Sequence, residues 1–415
     1  MKSSLGSLLI ISEDSPESFS PAGERIRHMA LGMASNRVFD KVVVLTSGAK
    51  RQSQQTARKS RVFLYAINST MRVPFPISSY LNPLKLLMFL VQGAFVLRTE
   101  KTRYIIASMP PVETGLSAWA LSKTLGAKLI VDLRDDWEAS LESQVTRFIP
   151  KQLFIPLFKL AAMVYSSAVC VLVVTSTLEN TVRRRVAQTR TILAQNGADT
   201  AVFKPQNEEL RTRSKAKYGL PQNKIIMMYC GSGINPYYRL DIVLQAVKSL
   251  PDSLKNKAFC VFYLYNGQSY YKRLKHQLDI PDNLVEIREP LPRSSLSGVM
   301  AASDIGLVPF DDKRFLLCAT STKVYEYLSA GLYVVGSGPP KGELESFFMR
   351  NPKLGLFAHA SLRDYARVLA EVLKDTSEYD DGSRNSRHQF ISEFYDRQKV
   401  MVKTAERVGR YVRVS

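Results

Sequence analysis

Acidic residues are in short supply. With 37 Asp and Glu against 57 Lys and Arg, the 415-residue chain carries a formal net charge of +20, which implies an anionic partner: nucleotide, membrane surface or nucleic acid. Cysteine is scarcer still. Cys170, Cys230, Cys260 and Cys318 are widely spaced, mostly inside apolar runs, so they form no metal-ligand pattern and a reduced cytosolic setting is expected. The histidines His28, His276, His359 and His388 are equally scattered. No G-x-G-x-x-G follows the first strand, so the dinucleotide fingerprint is missing there. Basic single-strand motifs rich in aromatics are missing too, and nucleic acid is therefore not expected as a partner. No signal peptide is visible, because the N-terminal apolar run Leu8 to Ser12 is short and looks like a first strand. Long hydrophobic runs are nearly absent. The exception, Leu153 to Val174, has only Lys159 charged and could span a bilayer by length. It changes midway from a helix-like LFIPLFKLAAMVYSS to the strand-like Val169 to Val174, and we read it as a buried helix feeding a buried strand.

What is present is alternation. Hydrophobic residues make up 45% and charged residues 23%, ordinary values for a globular chain long enough for about two domains. Apolar strand candidates are Leu8 to Ser12, Lys41 to Ser47, Arg61 to Ile67, Tyr104 to Ser108, Lys128 to Leu133, Val169 to Thr175 and Thr191 to Gln195. Helical stretches such as Glu24 to Ser35 and Leu84 to Leu97 separate most of them. Continuous apolar runs linked by helices indicate a parallel sheet covered on both faces. After a polar, basic passage from Pro205 to Pro221 the pattern restarts, with strands at Ile225 to Cys230, Phe259 to Tyr265, Leu284 to Arg288, Ile305 to Phe310, Tyr333 to Gly336 and Leu356 to Ala358. The fold class is therefore α/β, with two Rossmann-like domains, residues 1–203 and 204–386, expected to face each other across a cleft. The segment from Arg387 to Val414 is expected to be helical. Gly48 to Ser60, polar and basic, is expected to form a mobile loop.

The most informative stretch is Ala319 to Ser337, ATSTKVYEYLSAGLYVVGS. Helical spacing buries Val324, Leu328 and Tyr325, puts Lys323 and Glu326 near the helix start, and stops the helix at Gly331 before a β-branched run. A carboxylate and an ammonium there suit a ligand bearing hydroxyls and phosphates. Lys323-Val-Tyr-Glu326-Tyr-Leu-Ser-Ala-Gly331-Leu-Tyr-Val-Val335 resembles the K-x-x-E-Y-x-x-x-G-x-P-V-V signature of glycosyltransferase family 4, retaining enzymes of the GT-B fold, with Tyr333 replacing the proline. The resemblance implies that Glu326 holds the ribose of a nucleotide sugar, that no bound metal or cofactor is needed, and that the last helix, 387–415, crosses back to the first domain. Many members carry a second glutamate eight positions earlier; here that position is Cys318.

Further residues fit the same picture. After the first strand come Ala22, Gly23, Glu24, Arg25 and Arg27, where a turn opening a helix lets backbone amides approach an anion; Gly23 and Arg27 match the family's glycine turn and arginine. Ser108-Met-Pro-Pro111 and Asp132-Leu-Arg134-Asp135-Asp136-Trp137 resemble a subgroup's S-x-P-P and D-x-R-D-x-W. Two readings fit these charges: an internal salt-bridge network, or acceptor and donor contacts through Arg134 and Asp135. Asp135-Asp136 and Asp311-Asp312 are also adjacent acids, but we expect no metal there. Asn196-Gly197-Ala-Asp199 resembles the family's domain-border turn. Gly231-Ser232-Gly233 with Arg239, and the loop at Glu289-Pro-Leu-Pro292, lie where the family holds its donor, so Gly231, Ser232, Gly233, Glu289 and Tyr325 are expected donor contacts. Arg239 and Lys323 are the candidate cations for the diphosphate.

The implied reaction is transfer of a sugar from a nucleotide-sugar donor to a glycan or lipid-linked acceptor with retention of configuration. Glu326, Arg239, Lys323 and Asp135 are the expected catalytic residues. Between Lys50 and Arg103 ten Lys or Arg face one acid, Glu100, around the apolar helix Leu84 to Leu97. Such a region can lie on an anionic membrane, at the inner face of the cell membrane, or can be a buried helix among solvated charges. The alternatives to a transferase are a nucleotide-sugar epimerase of the same fold and a basic, non-catalytic binding protein.

Overall fold

The structure is a computed structural model that describes residues 4–18, 20–35, 38–47, 61–66, 82–145 and 150–414. The segment Gly48 to Ser60 lies outside the described residues. In chain order the first half runs β1 (Ser7–Ser12), α1 (Pro21–Ala34), β2 (Lys41–Thr46), β3 (Val62–Ala66), α2 (Pro83–Thr99), β4 (Tyr104–Met109), α3 (Val112–Leu125), β5 (Lys128–Leu133), α4 (Trp137–Val145), α5 (Ile155–Ser167), β6 (Cys170–Val173), α6 (Ser176–Arg185) and β7 (Thr191–Leu193). The second half runs α7 (Glu208–Lys217), β8 (Ile225–Gly231), α8 (Leu240–Ser249), α9 (Asp252–Lys255), β9 (Ala258–Leu264), α10 (Gln268–Gln277), β10 (Val285–Arg288), α11 (Arg293–Ala302), β11 (Ile305–Pro309), α12 (Thr322–Ser329), β12 (Tyr333–Gly338), α13 (Glu343–Arg350), β13 (Gly355–His359), α14 (Leu362–Lys374), α15 (Asp381–Phe394) and α16 (Arg397–Val414).

Two compact units result, Met1–Asn196 with Arg397–Ser415, and Gly197–Asp396. The borders expected at 203/204 and 386/387 are corrected by two sets of contacts. Ser329 Oγ donates to the Phe203 carbonyl at 2.6 Å, tying that residue into unit 2. Residues Arg384 and Arg387 of α15 are buried in the same unit, Arg384 donating to the Ser303 carbonyl at 2.9 Å and Arg387 to the Gly331 carbonyl at 3.1 Å. The helical segment is broken at Tyr395 and Asp396, and only α16 returns to unit 1. There Met401, Ala405, Val408 and Val412 join Ile26, Met29 and Met33 of α1 in one core.

Each unit is built on one parallel sheet. The seven strands of unit 1 are ordered β3-β2-β1-β4-β5-β6-β7 and the six of unit 2 β10-β9-β8-β11-β12-β13. Every strand pair is parallel. The cause is the continuous apolar run: Leu8 to Ile11 and Ala258 to Leu264 are buried along their whole length, which requires cover on both faces. In unit 1, α1 and α16 cover one face, while α2, α3 and α5 lie side by side. Gly93 lets α2 close on α3, since a Cβ there would stand 2.6 Å from Leu121 Cδ1.

Candidate active site

In unit 2 the carboxyl end of β8 meets the amino end of α12. Two features force this. Tyr327, fully buried, accepts a hydrogen bond from the Cys230 amide at 3.1 Å. Gly306 on β11 admits the Tyr327 ring, because a Cβ would sit 2.4 Å from Cδ2. Ser321 caps α12, its side chain accepting from the Lys323 amide at 3.3 Å. The Lys323 side chain then lies against Gly231, whose φ of +147° suits glycine and whose Cβ would stand 2.9 Å from Lys323 Cε. Lys323 Nζ donates to the Tyr238 hydroxyl at 3.1 Å and lies 4.5 Å from the Tyr238 ring centroid and 5.4 Å from that of Tyr229. Burial opposes its charge, yet Tyr238, Cys230 and Glu326 together hold the ammonium above the ordinary lysine value. Glu326 follows one turn later on α12, half-buried.

The other expected donor contacts make contacts within the protein. Tyr325 is 2% exposed, with ring centroids 5.0 Å from Tyr395 and 6.0 Å from Phe347; it is core packing on the other side of α12. Arg239 is held by Asp241, at 2.8 to 3.2 Å, and by Asp311 at 3.4 Å, so its guanidinium is already committed. The glycine turn is internally satisfied as well. Asn266 Oδ1 accepts from the Gly233 amide, the Ile234 amide and Ser232 Oγ, each at 2.9 Å. Glu289 is exposed and accepts from Gln268 Nε2 at 3.0 Å. Sequence reasoning gave no site role to Tyr229, Tyr238, Tyr327 or Asn266. Tyr327 is the tyrosine of the E-Y pair, so its signal was in the motif.

In unit 1 the internal-network reading accounts for most of the charges. Asp132, fully buried, accepts from Arg25 Nε at 3.2 Å and Nη2 at 2.6 Å, and from Ser108 Oγ at 3.0 Å. Arg25 also donates to the Ala194 carbonyl at 2.9 Å. Arg134 pairs with Asp14 at 2.9 Å and donates to the Pro110 carbonyl. The expected phosphate loop is likewise self-capped. Ser20 Oγ accepts from the Gly23 amide at 3.0 Å, and a Cβ on Gly23 would sit 2.4 Å from the Ser18 carbonyl oxygen. Arg27 pairs with Glu24 at 2.5 Å, and Ala22 is half-buried beside it. Asp136 pairs with Arg185 at 2.7 Å. Asp135 alone of the Asp132-to-Trp137 motif is solvent-exposed. Surrounding protein nevertheless strips enough of its hydration to push the carboxyl up to about 6, with Arg134 opposing and Asp136 adding.

No protein-family model matches the sequence, and no curated protein matches it. Solved structures do. Sucrose-phosphate synthase from Thermosynechococcus elongatus superposes with a TM-score of 0.79 at 13% identity, over 99% of this chain and 100% of that one. The chain has the GT-B fold. Two other structures agree with GT-B over nearly the whole chain. HepE from Anabaena, in complex with UDP, gives 0.67 at 14% identity over 98% and 100% of the two chains. WaaG, a glycosyltransferase involved in lipopolysaccharide biosynthesis, gives 0.65 at 13% over 96% and 98%.

One acid of the first GT-B unit stands outside these networks. Glu113, at the start of α3, is 1% exposed, and among the described residues neither carboxyl oxygen has a partner at hydrogen-bond geometry. Burial pushes its carboxyl up to about 7, Glu13 adding while Lys85 and the main chain at Glu113 and Asn82 oppose. The native state therefore keeps a proton that the unfolded chain releases from about pH 4.5. Stability falls as pH rises from about 4.5 to 7 and stays reduced above. Glu113→Gln is expected to be near neutral at pH 4 and stabilising by about 3 kcal/mol at pH 8. Urea unfolding at both values checks this; an equal effect at the two would refute it.

Proposed function

We propose that the chain is a retaining, metal-independent glycosyltransferase of the family 4 type. Unit 2 would take a nucleotide-sugar donor, and unit 1 a glycan or lipid-linked acceptor, in a cytoplasmic protein working at the inner membrane face. The carrying observation is Lys323, a cation held by Tyr238, Tyr229 and Gly231 at the start of α12, in a chain with the GT-B fold. Among similar structures, HepE was solved with UDP and glucose.

In this reading Glu326 accepts hydrogen bonds from the ribose hydroxyls. The acceptor oxygen bonds to the anomeric carbon on the face from which the diphosphate leaves, while the carbon–phosphate-oxygen bond breaks. The acceptor proton passes to the leaving phosphate oxygen, so atoms and charge balance. Lys323 and the first amides of α12 stabilise the departing charge. Asp135, a carboxylate above about pH 6, orients the acceptor hydroxyl. Arg239 acts through Asp241 and Asp311, shaping the turn before α8.

Thermal-shift measurements with UDP-, GDP-, ADP- and dTDP-sugars test the reading. A matching donor at about 100 times its Kd should raise Tm by roughly 5–10 °C. Glu326→Ala should bind it about 10–100-fold more weakly. Equal stabilisation of the variant would remove the ribose assignment, and no response to any nucleotide sugar would remove the transferase reading. Donor consumption without acceptor would point to the epimerase.

A further inference from the structure

The two most apolar helices of unit 1 leave much of their apolar surface exposed. Leu153 to Val174 was expected to be a buried helix and strand, and β6 is indeed buried. Within α5, however, only Ala161, Val164 and Tyr165 are buried. Leu153, Ile155, Leu160 and Met163 are exposed, Leu153 by 68%. On α2 the exposed large apolar residues are Leu84, Leu87, Val91 and Phe95, the last three at 56 to 59%. Their spacing of three, four and four residues makes a single stripe, about 17 Å long at 1.5 Å per residue.

The charge on this layer has one sign. Neither α2 nor α5 contains an acidic residue, and the single acid of α3, Glu113, is buried. Arg98 continues the α2 stripe one turn beyond Phe95, and Lys159 lies between Ile155 and Met163 on the α5 face; both are exposed. Lys123 on α3 is exposed as well. Among the described residues no helix is long and apolar enough to cross a membrane. An apolar stripe flanked by cations, too short to span, matches the interface of an anionic bilayer, where apolar side chains enter the headgroup boundary and cations meet phosphates. A second copy of the same face would bring like charges together, which disfavours self-association.

We infer that α2 and α5 form a docking surface for an anionic lipid bilayer, with Leu87, Val91, Phe95, Ile155 and Met163 inserting and Arg98 and Lys159 meeting lipid phosphates. The surface stands on these residues. Its use, bringing unit 1 to a lipid-linked acceptor, rests on the glycosyltransferase reading.

Flotation of the full chain with phosphatidylcholine vesicles, with and without phosphatidylglycerol, tests it. The chain is expected to float with the anionic vesicles at low salt and not with pure phosphatidylcholine. Leu87→Glu with Phe95→Glu, or Ile155→Glu with Met163→Glu, should weaken binding by about tenfold or more. Arg98→Gln and Lys159→Gln should each cost about fivefold and flatten the salt dependence. Thermal melts confirm that each variant is folded, and its nucleotide-sugar shift should equal the parent's. Absence of flotation, equal flotation of the paired variants, or concentration-dependent self-association that those variants abolish would overturn the docking surface. A chain that floats as expected but shifts with no nucleotide sugar would leave docking intact and remove only the transferase reading.

Discussion

Lys323→Met is expected to lower kcat/KM for sugar transfer by about 10²–10³-fold, mostly through kcat. Methionine keeps the apolar stem against Gly231 and the rings of Tyr229 and Tyr238, so the local packing survives while the charge is lost. In the proposed reaction negative charge grows on the leaving diphosphate, and a cation fixed in place beforehand acts most strongly on the transition state. Lys323→Arg should rescue little. The space beside Gly231 is narrow, a Cβ there standing 3.1 Å from Lys323 Nζ, and a planar guanidinium is wider than an ammonium. Steady-state kinetics with the donor found by thermal shift provides the check. Activity within about threefold of the parent would show that this ammonium does not serve the chemistry.

Asp132→Ala is expected to destabilise unit 1 by about 3–5 kcal/mol, lowering its melting temperature by roughly 6–20 °C. The carboxylate is fully buried and receives Arg25 through two nitrogens and Ser108 through its hydroxyl. Its removal leaves the Arg25 guanidinium, 4% exposed, without a counter-charge. The pair joins α1 to β5, and through the Ala194 carbonyl to the end of β7. Replacing both partners, Arg25→Met with Asp132→Leu, should recover much of the loss, since an apolar pair carries no desolvation cost. Calorimetry of the parent and the two variants measures both effects. A shift under about 2 °C for Asp132→Ala would mean the pair is dispensable.

The fold was largely legible in the sequence. Tyr104 to Ser108 became Tyr104–Met109, and Lys128 to Leu133 was unchanged, because a strand covered on both faces must be apolar throughout. The helix opening near Lys323 was legible through the helical spacing of its buried Val324 and Leu328. Other elements were not. Composition cannot tell a buried apolar helix from one left facing solvent, and α5 was misjudged for that reason. The break between α15 and α16 was hidden too. It depends on Ala198, far away in sequence, donating its amide to the Tyr395 carbonyl at 3.0 Å.

The Lys323 to Gly331 helix, the parallel α/β alternation and the basic charge balance are properties of the sequence alone, set by short-range periodicity and composition. Which charges are cancelled is a matter of tertiary structure. Arg25 and Asp132 lie 107 residues apart in the chain, Arg134 and Asp14 120, and Arg239 and Asp311 72. An ion pair depends on separation in space, which falls off with no regard to chain distance. Folding therefore paired Arg134 and Arg239 with carboxylates distant in the chain, left Asp135 exposed just beyond the end of β5, and set Lys323 against two tyrosines at the end of β8.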